Sequence, residues 1–128
     1  MADHKTSLLM VEDDKFVALA YKDAFSREGF LVMNAYDGVE AIDKIRSESP
    51  DIVILDMLLP LKNGFEVLSD LKLDSKTANV PVVVLTNLNQ EADKKKCIDL
   101  GAKDFLIKSD YTLKEVVGRI KEIVASLN

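Results

Sequence analysis

The chain has one cysteine, one histidine, no tryptophan and only three prolines in 128 residues, and each scarcity closes a class of function. Cys97 has no second thiol with which to form an intramolecular disulfide. His4 stands alone in the polar start MADHKTS, so His-built metal sites and Ser-His or Cys-His catalytic pairs lack a second member. That start has no apolar core of signal-peptide length, and no apolar run approaches the roughly twenty residues a membrane-spanning helix needs. The cytoplasm is the expected compartment, with no membrane contact. Positive charge is also short: 17 Lys and Arg against 22 Asp and Glu leave a formal charge of −5. Direct nucleic-acid binding needs clustered cations that release counterions, so none is expected.

What is present suits a folded α/β chain. Hydrophobic residues make up 48% and charged residues 30%, in a length that accommodates one domain with a real core. The whole of 1–128 reads as that domain, with an ordered core from about residue 6 to 127. The residues beyond Lys108 suffice for one helix, so no output domain is expected. Short runs rich in Val, Ile and Leu, at 7–11, 30–35, 51–55, 81–85 and 104–107, alternate with segments of helical period at 15–28, 38–48, 64–73, 90–100 and 112–127. Continuous apolar runs mark strands buried on both faces. Right-handed crossovers then build a parallel sheet with five helices spread over its two faces. In the last segment Leu113, Val116, Val117, Ile120, Ile123, Val124 and Leu127 form one stripe, behind a Thr112 cap with Glu115 three residues on. Gly29 and Gly101 are placed to end the first and fourth helices with positive φ.

In such a sheet the residues after each strand gather at one edge, where ligands of these folds bind. Glu12, Asp13 and Asp14 follow the first run, Asp56 the third, Thr86 the fourth and Lys108 the fifth. Carboxylates brought within about 6 Å raise one another's pKa, so Glu12, Asp13 and Asp56 together imply a cation. Mg²⁺ fits, because it prefers hard oxygens: one or two carboxylates, phosphate oxygens and waters. Lys108 adds an ammonium and Thr86 a hydroxyl able to donate to the same oxygens. These parts suffice for phosphoryl transfer onto a carboxylate. Asp56, following the central strand, is the preferred nucleophile, although spacing alone does not settle that choice against Asp13 and Glu12. Asp14 reads as a helix N-cap.

The segments LLMVEDD, DGVEAI, DIVILDMLLPLKNG, PVVVLT and GAKDFLIK occur in order over nearly the whole chain. Together they resemble the successive signatures of response-regulator receiver domains of two-component signalling. The resemblance implies a CheY-like, flavodoxin-like sheet of order 2-1-3-4-5. It implies that Asp56 accepts a phosphoryl group from a sensor histidine kinase or phosphotransfer protein, catalysing only its own loading and loss. Asp13, Asp56 and the Leu58 backbone carbonyl would hold Mg²⁺, with Mn²⁺ as a substitute, and Glu12 would act through water. Lys108 and Thr86 would serve catalysis and switching, and Phe105, three residues before the lysine, would turn with Thr86. A downstream protein would meet the surface of the fourth helix, fifth strand and fifth helix, and a phosphorylation-dependent homodimer is another assembly the family forms. The competing classes are a phosphorylation-independent interaction module and a small Mg²⁺-dependent hydrolase. The hydrolase is disfavoured because no long insertion could wall a substrate pocket.

Two positions depart from the family's pattern. Ser109 stands where a proline, often with a cis bond, usually follows the lysine; without proline a cis bond is much costlier, so a trans bond and a different loop are expected. Asn87 replaces a commonly small residue after Thr86 and should narrow the path to the phosphoryl group. Slow loss of phosphate is therefore expected, and Asn87→Ala should decay faster than the native protein when the two phosphorylated forms are timed side by side. Lys94, Lys95 and Lys96 read mainly as a solvated helix face, with partner contact the alternative.

Overall fold

The computed structural model describes residues 5–127, and His4 lies outside them. Five strands, β1 (Ser7–Val11), β2 (Leu31–Ala35), β3 (Ile52–Leu55), β4 (Val82–Thr86) and β5 (Asp104–Ile107), alternate with α1 (Lys15–Arg27), α2 (Gly38–Glu48), α3 (Gly64–Leu73), α4 (Glu91–Asp99) and α5 (Leu113–Ser126). All pairings are parallel, in the order β2-β1-β3-β4-β5. Side chains alternate across each strand. Leu9, Val11, Val53, Leu55 and Val84 therefore pack under α2, α3 and α4 with Ile45, Val67, Leu71 and Cys97. Leu8, Met10, Ile54, Val83 and Leu106 pack on the other face with Phe25 of α1 and Val116 and Ile120 of α5. Central β1, β3 and β4 are almost wholly buried, whereas edge strand β2 begins exposed at Leu31.

The element ends carry the expected chemistry, with several shifts of boundary. Asp14 caps α1 by accepting the N–H groups of Phe16 and Val17, and Thr112 and Glu115 close a capping box on α5. Gly29 and Gly101 take φ of 91° and 101°. Phe30, Asp51 and Pro81 fall just outside their strands; Pro81 has no N–H for the ladder, although its carbonyl still accepts Val53 N–H at 2.9 Å. Thr86 is the last residue of β4 rather than the first beyond it. The helical spans also close in, because Gln90, Leu100, Thr112 and Leu127 cap α4 and α5 from outside. Of the apolar stripe on α5 only Val116, Val117 and Ile120 are buried, while Leu113 and Leu127, at the two ends of the helix, are exposed.

Two loops position the sheet's C-terminal edge. After β3 the chain turns at Leu61, whose φ of 68° lets Lys62 N–H reach back to the Pro60 carbonyl at 2.8 Å. The same carbonyl accepts Gly38 N–H, and a Cβ on Gly38 would fall on the Lys62 carbonyl. The start of α2 is thus packed backbone to backbone against the loop that follows Asp56. After β5, Lys108–Asp110 form a 3₁₀ turn, and no described peptide bond is cis. The trans bond expected at Ser109 is what the chain adopts. Among the described residues no helix is long and apolar enough to cross a membrane.

Candidate functional site

The β1–β3 ladder ends by placing two acids side by side. Asp56 N–H donates to the Val11 carbonyl at 3.1 Å, while Glu12 N–H donates across to Ala35 at 3.0 Å. Glu12 and Asp56 are 2% and 5% exposed, and Asp13 projects into solvent. One carboxylate oxygen from each of the three lies within 4.8 Å of the others. From the 3₁₀ turn the Lys108 ammonium donates to Asp56 Oδ2 at 2.8 Å and to Glu12 Oε1. The remaining oxygens are also held: Asp14 N–H donates to Glu12 Oε2 at 3.1 Å and Leu58 N–H to Asp56 Oδ1 at 3.2 Å.

Burial pushes the Glu12 carboxyl above its usual range and Asp56 adds to that rise, while Lys108 and the Asp14 N–H pull the other way. Burial works against the Lys108 ammonium, but its hydrogen bonds to Asp56 and Glu12 outweigh it and its pKa is raised. The lysine is therefore held charged. Three carboxylates face this one ammonium, which leaves an excess of negative charge that a divalent cation would match. The donors are hard oxygens, and among the described residues the Asp13 carboxylate has no hydrogen-bond or ion-pair partner, so the residues fit a small divalent ion.

Thr86 is fully buried at the end of β4, and its Oγ1 accepts Leu88 N–H at a long 3.4 Å. Phe105 is 7% exposed, within the core under α3 and α4. The structure thus brings Glu12, Asp13, Asp56 and Lys108 together, sets Leu58 against Asp56 through its N–H, and leaves Thr86 turned to its own loop. Lys94, Lys95 and Lys96 are exposed, as a solvated face requires. Lys95 pairs with Asp99 and Lys96 lies over the Phe65 ring at 4.4 Å.

Two features escaped the sequence. Met57, directly after Asp56, is buried between Gly64, where a Cβ would strike it, and the thiol of Cys97 at 3.4 Å. Burial pushes that thiol up to about 11, with Asp93 adding to the rise. Cys97 is the one buried residue of α4; an apolar side chain directly after the run Lys94, Lys95 and Lys96 was the available signal. The second is a hydrogen bond at 3.2 Å from Ser109 N–H to Asn87 Oδ1, joining the two positions at which the chain departs from the family's pattern.

The geometry has clear parallels. A sequence model described as the response regulator receiver domain matches residues 8–121. The receiver domain of the Francisella response regulator 1452 superposes with a TM-score of 0.87 at 26% identity, covering 97% of this chain and all of the other. The phosphorylated cyanobacterial phytochrome response regulator RcpA gives 0.80 at 29% identity, covering 94% of this chain and 91% of its own. The chemotaxis response regulator CheY4 of Vibrio cholerae gives 0.86 at 22% identity, covering 94% and 99%, a likeness that speaks for the fold. With the family match running through all five strands and into α5, the chain belongs to the response regulator receiver domains of two-component signalling.

Proposed function

We propose that residues 1–128 act as one cytoplasmic receiver domain, a signalling switch that takes a phosphoryl group on Asp56 from a phosphohistidine of a sensor histidine kinase or phosphotransfer protein. The observation that carries this reading is the Lys108 ammonium shared between Asp56 and Glu12 inside the acidic trio. An Asp56 oxygen attacks phosphorus, the phosphorus–nitrogen bond breaks, and its electron pair stays on the imidazole. The Leu58 N–H and Lys108 hold the carboxylate for in-line attack, and Lys108 then follows the charge onto the phosphoryl oxygens. Asp13, Asp56 and the Leu58 carbonyl would hold Mg²⁺, with Mn²⁺ as a substitute and Glu12 acting through water. The bound ion would neutralise the carboxylates and draw the phosphoryl oxygens to the site.

The switch follows from Thr86. Its hydroxyl gives up only the long Leu88 contact in order to donate to the phosphoryl group, and Phe105 moves with it. The phosphoryl group biases this two-state element only through the contacts it makes better in one state. The surface altered is that of α4, β5 and α5, to which a downstream protein or a second copy of the chain would bind. RcpA, the phosphorylated relative, supports the same chemistry here.

Intact mass after incubation with Mg²⁺ and acetyl phosphate tests this reading. One phosphoryl adduct is expected, absent from Asp56→Asn and from a chelated control. A folded protein that gains no adduct would be a phosphorylation-independent interaction module instead.

A further inference from the structure

The peptide unit between Lys108 and Ser109 is held at both of its polar groups. Its carbonyl, on Lys108, accepts Tyr111 N–H at 3.3 Å within the 3₁₀ turn. Its N–H, on Ser109, donates at 3.2 Å to Asn87 Oδ1, which belongs to a different loop 22 positions away in sequence. The first bond is local to the turn. The second ties the turn to the residue directly after Thr86. That residue lies in a loop organised around the threonine itself, since Leu88 N–H returns to Thr86 Oγ1. The orientation of this peptide plane sets the direction in which the Lys108 side chain leaves the backbone, and so its reach to Asp56 and Glu12.

We propose that Asn87 is a positioning residue. Its carboxamide straps the peptide after Lys108 to the residue after Thr86, so that the lysine's hold on Asp56 and the threonine's position change together. The part of this that concerns phosphoryl transfer rests on the function proposed above; the strap itself does not. The arrangement needs a residue other than proline at position 109, because the donor is the backbone N–H, which Ser109 supplies and a proline would not. Asn87 and Ser109 are both exposed, so removing the strap disturbs no core.

The test compares the native protein with Asn87→Ala, Ser109→Pro and the double variant. Three quantities are read: the Lys108 side-chain ¹⁵N resonance without any phosphodonor, the rate of phosphoryl uptake from acetyl phosphate with Mg²⁺, and the urea unfolding midpoint. Asn87→Ala should shift the Lys108 resonance and slow uptake about two- to tenfold, the worth of one exposed hydrogen bond, with the midpoint lowered by no more than that one bond contributes. Against the Ser109→Pro background the same substitution should do neither, because the donor is gone. Asn87→Asp keeps an acceptor oxygen and should preserve slow exchange of the Ser109 amide proton, which gives a reading independent of the proline variant. An unmoved Lys108 resonance in Asn87→Ala, or an equal effect with Ser109→Pro in place, overturns the strap. A native protein that takes up no phosphoryl group overturns the proposed function alone, and the resonance still decides about Asn87.

Discussion

Lys108→Met should lower the unfolding free energy of the chelated protein by about 2 to 3 kcal/mol, read as a shift in urea midpoint at unchanged slope. The ammonium holds two acids that are 2% and 5% exposed. Removing it leaves both carboxylates desolvated and facing one another, and breaking a buried ion pair from one side costs about 3 to 5 kcal/mol. The expected loss falls at or below the lower end of that range because the lysine side chain keeps 17% of its own exposure, which admits water to the gap. The methylene stem is largely conserved in methionine, so lost packing contributes little. A variant as stable as the native protein would show that water already screens the acids and that the lysine is no keystone of the apo state.

Saturating Mg²⁺ should stabilise the native protein, and Asp13 decides how much. A ligand that binds only the folded chain adds about 2.7 kcal/mol when present at about a hundred times its dissociation constant. The unfolded chain has no comparable site, because Glu12 and Asp13 meet Asp56 only through the β1–β3 pairing. Asp13→Asn should lose most of this gain. In chelator the same variant should be no less stable than the native protein, because it removes one of three like charges; its exposure keeps that benefit below about 1 kcal/mol. Thermal unfolding with and without Mg²⁺ reads both effects. Equal gains in the two proteins would place the ion elsewhere.

Much of this site is legible in the sequence because a parallel sheet converts strand order into place. Once five apolar runs alternate with helical segments, Glu12, Asp56, Thr86 and Lys108 must arrive at one edge, and they do so whether or not each boundary is read to the residue. Thr86 shows the limit. Counted as the residue after a strand, it is the last rung of β4, so its hydroxyl begins buried and turned to Leu88. The stripe on α5 overreached at Leu113 and Leu127 because periodicity reports which face a residue occupies, not whether anything packs against it at the helix ends. The Asn87–Ser109 bond was out of reach, since a contact between two exposed polar loop residues leaves no periodic trace. Both residues stood out only as departures from a pattern, and their pairing emerged from geometry.

Helix α4 buries only Cys97, and seven of its nine residues are exposed. Most substitutions along it therefore alter the molecule's outward face without reaching the core, where volume changes are costly. Changes on that face would be felt by whatever binds it rather than by the fold, while the acids and the lysine at the sheet edge stay under the far narrower constraint of shared charge. The boundary between that outward face and the core runs past the thiol that touches Met57.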